Sequence, residues 1–350
     1  MSLPSRFNAW ITLNRACNLR CKWCYAAASQ FTPALNMSTD TFLQIVTLLS
    51  GLPIGRVMLI GGEPTIHPNF LEAVRTLKKA GMDVAVLSNS IKFEDNNFLK
   101  QTIEAGVSGI MTSIKGGNAS DYLQGTGSPS AFTKVMRAIS NIEASGTPHE
   151  VSVTVCESTM KSFADIIETV KTSWARRFLV DTERPVLLSG GLKPGNFPDC
   201  AKIAAFLMST YPALVQSGLN FSIKVSIPFC HFPPSFIRQM REDNHLASGC
   251  QMINGSGLIF DPAGKLLACN HLCENPLGTL GLDFSDGEGY YAFRNRPDLT
   301  GFYKRMGTCP DQRCVECEHW TLCGGGCKLH WLCAGANELL GQYSEKGGKP

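Results

Sequence analysis

Cys17-Asn18-Leu19-Arg20-Cys21-Lys22-Trp23-Cys24-Tyr25 places three cysteines four and three residues apart, within one short loop. Three soft sulfur ligands on one loop can hold three irons of a [4Fe–4S] cube. The fourth iron then has no protein ligand and stays open to a small molecule. A structural zinc site usually closes with four ligands, commonly as two separated Cys-x2-Cys pairs. No fourth Cys or His lies near this loop in the sequence.

Outward from the loop, apolar runs alternate with amphipathic ones. Strands are expected at 8–13, 56–60, 83–87, 108–114 and 151–155, with a sixth inside 177–188 blurred by Pro185. Helices are expected at 39–50 (capped by Ser38), 68–80, 97–105, 129–144, 163–173 and 201–215. Regular alternation of this kind means a parallel sheet with helical crossovers. About six units fall short of a closed eight-fold barrel, so the expected class is α/β, a partial (β/α)6 barrel. In parallel barrels the chemistry sits at the C-terminal strand ends. Gly61-Gly62-Glu63-Pro64 follows the second strand. Its glycines would let backbone approach a ligand, and Glu63 offers a carboxylate for an ammonium group. Ser88 and Asn89 end the third strand, Ser113 and Lys115 flank the end of the fourth, Thr154 lies in the fifth, and Cys156 follows it.

The 350 residues fit one large α/β domain and a smaller one, and 44% hydrophobic residues allow a sizeable core. A net charge of +3 gives no argument for nucleic acid or a membrane surface. No long apolar run reads as a membrane span, and the N-terminus lacks a secretory stretch, so a cytoplasmic location is expected. There, fifteen cysteines read as metal ligands rather than disulfides.

Nine of those cysteines crowd into 250–333. A linker is expected over 226–249, around Pro228-Phe229-Cys230-His231-Phe232-Pro233-Pro234. Cys250 and Cys269 bracket two apolar runs joined by Asp261-Pro262-Ala263-Gly264, a β-hairpin that would bring the two thiols together. Cys309-x4-Cys314-x2-Cys317-x5-Cys323-x3-Cys327-x5-Cys333 leaves little apolar material for a core, so metal bonds must hold this piece. The expected units are 1–225, 226–249 and 250–350.

The Cys-x3-Cys-x-aromatic-Cys loop and Gly61-Gly62-Glu63-Pro64 resemble the radical S-adenosylmethionine (SAM) superfamily. The run from Cys314 to Cys327 resembles its SPASM extension, a cysteine-rich iron–sulfur domain. The resemblance implies a cluster on Cys17, Cys21 and Cys24 whose open iron chelates SAM. Reductive cleavage then gives a 5′-deoxyadenosyl radical that abstracts a hydrogen atom. It implies that Gly61, Gly62, Glu63 and Pro64 hold the SAM amino group and that Ser88 and Asn89 meet the ribose. Ser113 and Lys115 would meet the carboxylate, Thr154 would face the barrel interior, and Tyr25 would cover the adenine. Cys156 would be a hydrogen-atom donor.

The resemblance further implies two auxiliary [4Fe–4S] clusters. One would take Cys250, Cys269 and Cys327, and either keep an open iron or add Cys273 or Cys230. The other would take Cys314, Cys317 and Cys323 with Cys333, or else Cys309. The implied function is maturation of a ribosomally made peptide, by cross-link, thioether, epimerisation or oxidation. Leader binding would come from a separate protein or from the barrel. The alternatives are a dehydrogenase, epimerase or decarboxylase of a small molecule such as a sugar or aminocyclitol, and a non-enzymatic iron–sulfur scaffold. The implied electron donor is a flavodoxin or ferredoxin.

Overall fold

The computed structural model describes residues 5–26, 35–188 and 198–333, with the backbone of 191–192. The chain alternates β1 (Phe7–Thr12), α1 (Thr39–Ser50), β2 (Ile54–Ile60), α2 (Phe70–Lys79), β3 (Val84–Ser88), α3 (Asn96–Ala105) and β4 (Gly109–Ile114). There follow α4 (Ala119–Thr126), α5 (Ser130–Ser145), β5 (His149–Val155), α6 (Glu157–Met160), α7 (Phe163–Thr172) and β6 (Phe178–Thr182). A two-stranded hairpin, β7 (Leu187–Leu188) and β8 (Gly191–Leu192), precedes α8 (Cys200–Gln216), β9 (Phe221–Lys224), α9 (Pro234–Glu242) and β10 (Leu246–Ala247). The rest is α10 (Gln251–Asn254), β11 (Gly257–Phe260), β12 (Lys265–Leu267), β13 (Pro276–Thr279), α11 (Gly287–Arg294), α12 (Pro297–Gly307), α13 (Trp320–Cys323) and α14 (Lys328–Cys333).

Eleven strands form one sheet, ordered β10-β9-β6-β5-β4-β3-β2-β1-β11-β12-β13. From β10 to β11 every pairing is parallel, as helical crossovers require. The open partial barrel expected from the alternation is therefore present. Three details differ. The sixth strand ends at Thr182, where the chain turns ahead of Pro185. A seventh parallel strand, β9, lies beside β6. The stretch 226–249 carries a helix and a strand. Pro234 starts α9, where its missing N–H costs nothing, and Ile237 and Met240 are buried along one side.

The hairpin expected between Cys250 and Cys269 is β11–β12, and β13 extends it. It docks through β11 onto the free edge of β1, so the cysteine-rich segment continues the barrel sheet.

Alternation within each strand sorts its two faces. Val57 and Leu59, Val84 and Val86, Val151 and Val153, and Phe178 and Val180 are buried in the two large apolar clusters. The opposite face lines the barrel interior. There the strands far from β1 are polar: Ser113 pairs with Ser152, and Thr154, Asp181 and Lys224 stand in register across β5, β6 and β9. No helix among the described residues is long and apolar enough to cross a membrane.

Candidate active site at the barrel mouth

The cysteine loop is held from three sides. The Arg20 and Lys22 N–H groups donate to the Thr126 and Gly125 carbonyls at the end of α4, at 3.2 and 3.1 Å. The Arg20 guanidinium turns back onto the carbonyls of Cys17 and Leu19, at 2.6 and 2.9 Å. Trp23 packs against Gly125, where an added Cβ would lie 3.0 Å from the indole.

The third side is the Gly61-Gly62-Glu63-Pro64 turn. A Cβ on Gly61 would lie 2.3 Å from Asn14 Oδ1, and one on Gly62 would lie 2.3 Å from the Ala16 carbonyl oxygen. The glycines therefore admit the backbone that leads into Cys17, rather than leaving room for a ligand alone. The Gly62 and Glu63 N–H groups bond that backbone, at Asn14 O and Ala16 O. Gly62→Ala is expected to cost about 1–3 kcal/mol of stability by overpacking and to loosen the cysteine loop. Anaerobic thermal melts and iron counts on the purified variant check this.

Glu63 is 1% exposed. Its Oε1 accepts from the Thr65 N–H (3.1 Å), the Thr65 hydroxyl (2.6 Å) and the Ser88 hydroxyl (2.7 Å), and Oε2 accepts from the Asn89 N–H (2.7 Å). Burial raises its pKa, and these hydrogen bonds oppose the shift. Expected to partner an ammonium, Glu63 is already engaged in tying the ends of β2 and β3 together. Asn89 carries the tie onward, donating through Nδ2 to Asn18 Oδ1 inside the cysteine loop at 2.7 Å. Pro64 is buried at the start of a 3-10 turn.

Lys115 donates to Ser113 Oγ at 2.5 Å, and its ammonium lies within electrostatic reach of Cys21. Cys156, buried past the end of β5, also lies within reach of Cys21, with its Sγ 3.6 Å from Thr159 Oγ1. Thr154 alternates with the buried Val153 and Val155 and so stands on the opposite face of β5. Tyr25 stacks on His271 with ring centroids 5.1 Å apart, so one face of its ring is taken by the turn after Cys269.

The thiols fall into three groups. Cys21 and Cys24 act electrostatically on Cys17, and burial pushes the Cys17 thiol up to about 12 against the Leu19 N–H, 3.4 Å from its sulfur. Cys250, Cys269 and Cys327 lie within reach of one another, and burial lifts Cys269 to about 11 and Cys327 to about 12. Cys314 lies within reach of Cys323 and Cys309, Cys323 of Cys317, and Cys230 of both Cys323 and Cys314. Coordination to a metal would overturn the effect of burial by fixing each sulfur as thiolate.

Cys230 lies beside the Cys314 and Cys323 thiols because the 229–231 turn packs on α13; the Phe229 N–H donates to Cys323 Sγ at 3.3 Å. Burial raises the pKa of the Cys333 thiol. Cys273 lies within electrostatic reach of Arg15 and Tyr25.

Among the described residues no three His, Cys, Asp or Glu side chains close on one metal ion. In a cube each thiolate takes a different iron, so the sulfurs stand apart. Around the end of β1, Thr12 Oγ1, Asn14 Oδ1, Arg15 Nη1 and Asn36 Oδ1 are buried without hydrogen-bond partners among the described residues. Such atoms are rare unless a ligand or water satisfies them. Thiol trio, orphaned polar atoms and the Lys115 ammonium together fit a cluster with a polar, zwitterionic cosubstrate.

No motif or spacing singled out Asn14, Asn18, Asp181, Arg184, Lys224 or His271, yet Asn14 donates to the Glu63 carbonyl, Asn18 accepts from Asn89, Arg184 pairs with Asp181 beside Lys224, and His271 stacks on Tyr25. Only the Asp181-x2-Arg184 charge pair carried a signal, and Pro185 obscured it.

The pattern of the Radical SAM superfamily matches residues 11–170. The chain is 27% identical to the AdoMet-dependent heme synthase of Methanosarcina barkeri (strain Fusaro / DSM 804), over 99% of this chain and 96% of that protein. It is 24% identical to the mycofactocin maturase MftC of Mycobacterium tuberculosis (strain CDC 1551 / Oshkosh), over 90% of this chain and 76% of that one. Streptococcus suis SuiB, solved bound to precursor peptide SuiA, shares the fold with a TM-score of 0.72 at 15% identity, covering 97% of this chain and 75% of that one. The thiol trio after β1 and the Gly-Gly-Glu-Pro turn after β2 both lie inside the stretch of this chain that matches the radical SAM superfamily.

Proposed function

We propose that this radical SAM enzyme modifies a ribosomally made peptide by hydrogen-atom abstraction. The carrying observation is its similarity to the mycofactocin maturase MftC over 90% of its length. The fold it shares with SuiB, crystallised with a precursor peptide, agrees with that reading.

When bound, the cluster and SAM supply an electron and a 5′-deoxyadenosyl radical; the protein supplies orientation and exclusion of water. Cys17, Cys21 and Cys24 would hold the cluster. Gly61, Gly62, Glu63 and Pro64 would shape the seat of the SAM amino group, with Ser88 and Asn89 beside the ribose. Lys115, steadied by Ser113, would take the carboxylate. Tyr25 would flank the adenine with the face turned away from His271. Thr154 would line the substrate side, and Cys156 could return a hydrogen atom to one face of the substrate.

Cys250, Cys269 and Cys327 would hold one auxiliary cluster. Cys314, Cys317 and Cys323, with Cys309 and Cys230, supply more than enough thiolates for a second. Cys230 and Cys317 are exposed. The second cluster would thus lie near the surface, where a flavodoxin or ferredoxin could deliver electrons. In this reading 1–225 is the SAM unit and 250–350 the auxiliary unit.

A second reading, a small-molecule substrate, draws on the heme synthase relative. The test is incubation of anaerobically reconstituted enzyme with SAM, dithionite and short peptides encoded beside its gene. A peptide mass change matched by 5′-deoxyadenosine supports the maturase. Turnover with a small metabolite and no peptide change favours the second reading.

A further inference from the structure

Arg184 and Asp181 form a two-pronged ion pair at the end of β6. Nη1 lies 3.0 Å from Oδ2 and Nη2 lies 2.7 Å from Oδ1. Both side chains are mostly covered, at 20% and 24% exposure. Asp181 faces the barrel interior in register with Thr154 and Lys224. The turn beyond Arg184 packs on the auxiliary segment, where the neutral His271 ring donates from Nδ1 to the Pro185 carbonyl at 3.0 Å. That contact sits two residues after Cys269. Accordingly the Arg184 charge reaches both Cys269 and Cys327, and the Lys224 charge reaches Cys269.

A fixed charge beside an iron–sulfur cluster biases its two redox states. Reduction adds negative charge, so a nearby cation favours the reduced state and a nearby anion the oxidised one. Low dielectric around partly buried charges keeps such an effect from being screened away. Guanidinium also stays charged when buried, where an ammonium readily loses its proton. The carboxylate holds Arg184 in place and offsets part of its field.

We propose that the Arg184–Asp181 pair sets the reduction potential of the auxiliary cluster on Cys250, Cys269 and Cys327, Arg184 raising it and Asp181 lowering it. This rests on the auxiliary cluster proposed above. The pair is then a positioning and tuning device between the substrate chamber and that cluster.

The test is a redox titration of the reconstituted holoenzyme followed by electron paramagnetic resonance. The relevant signal is the one that Cys269→Ala removes. Arg184→Gln is expected to shift its midpoint downward by the equivalent of at least a tenfold change in equilibrium constant, about 59 mV for one electron. Asp181→Asn is expected to shift it upward, and Arg184→Lys to restore only part of the loss, because a covered ammonium gives up its proton more readily than guanidinium. Iron content stays at the wild-type level in all three. Opposite signs cannot come from general loosening of the site. Unmoved midpoints at full iron content, or shifts of the same sign in both variants, overturn the proposal. If Arg184→Gln loses iron, Asp181→Asn alone decides by its sign. Absence of the signal from wild-type enzyme instead overturns the auxiliary-cluster reading, and this inference with it.

Discussion

Cys21→Ala is expected to abolish reductive cleavage of SAM and to lower bound iron by about four atoms from about twelve, given four irons per cube. Cys21 is the most enclosed point of the trio's surroundings: Lys115 and Cys156 approach it from the ends of β4 and β5, and Cys24 from its own loop. With two thiolates left, the loop loses a third of its grip, and backbone bonds to α4 cannot replace a metal bond. Iron and sulfide analysis with chromatographic detection of 5′-deoxyadenosine reads both effects. Full iron content in the variant would mean that the cluster sits elsewhere. The auxiliary signals should persist, because their thiols come from β9 onward.

Glu63→Ala is the second large effect. The substitution strands four donors, from Thr65, Ser88 and Asn89, in an interior where little water reaches. Each unsatisfied buried donor costs about 1–3 kcal/mol, and the costs are not additive within one network. A loss of about 2–4 kcal/mol is expected, read by anaerobic urea unfolding. Because Asn89 holds Asn18, the damage should spread to the cysteine loop. SAM affinity should fall at least about tenfold, a difference of about 1.4 kcal/mol. Glu63→Gln retains the shape and part of the acceptor capacity, so its loss should be smaller. A near-neutral Glu63→Ala would show that the β2 and β3 ends are held by other contacts.

What could be read from the sequence was what is local. The Cys17–Cys24 spacing, the alternating strands β1 to β5 and the hairpin at Asp261–Gly264 each carry their signal within a few residues. The parallel sheet followed from their order. Strand β9 was missed because its four residues give too short an alternation to stand out from a linker. Helix α9 was missed because the prolines before it were read as breakers, whereas Pro234 serves as its first residue.

Grouping of the thiols depended on which distant loops meet, and spacing alone cannot give that. Three successive left-handed glycines, Gly324, Gly325 and Gly326, turn the chain so that the Cys327 N–H bonds the Ser226 carbonyl at 2.6 Å. That turn sends Cys327 to the Cys250 group while Cys323, four residues earlier, stays with Cys230. The purpose of Gly61 and Gly62 was likewise hidden, since the backbone they admit belongs to another part of the chain.

The central claim is that the Cys17 trio leaves one iron open for SAM. Electron–nuclear double resonance on the reduced holoenzyme, with SAM labelled at its amino nitrogen and carboxylate oxygen, examines that iron directly. Strong coupling of both labels to the cluster, lost in Cys21→Ala, is the predicted result. A cluster with no coupling to either label, or zinc in place of iron on these three sulfurs, would contradict the account.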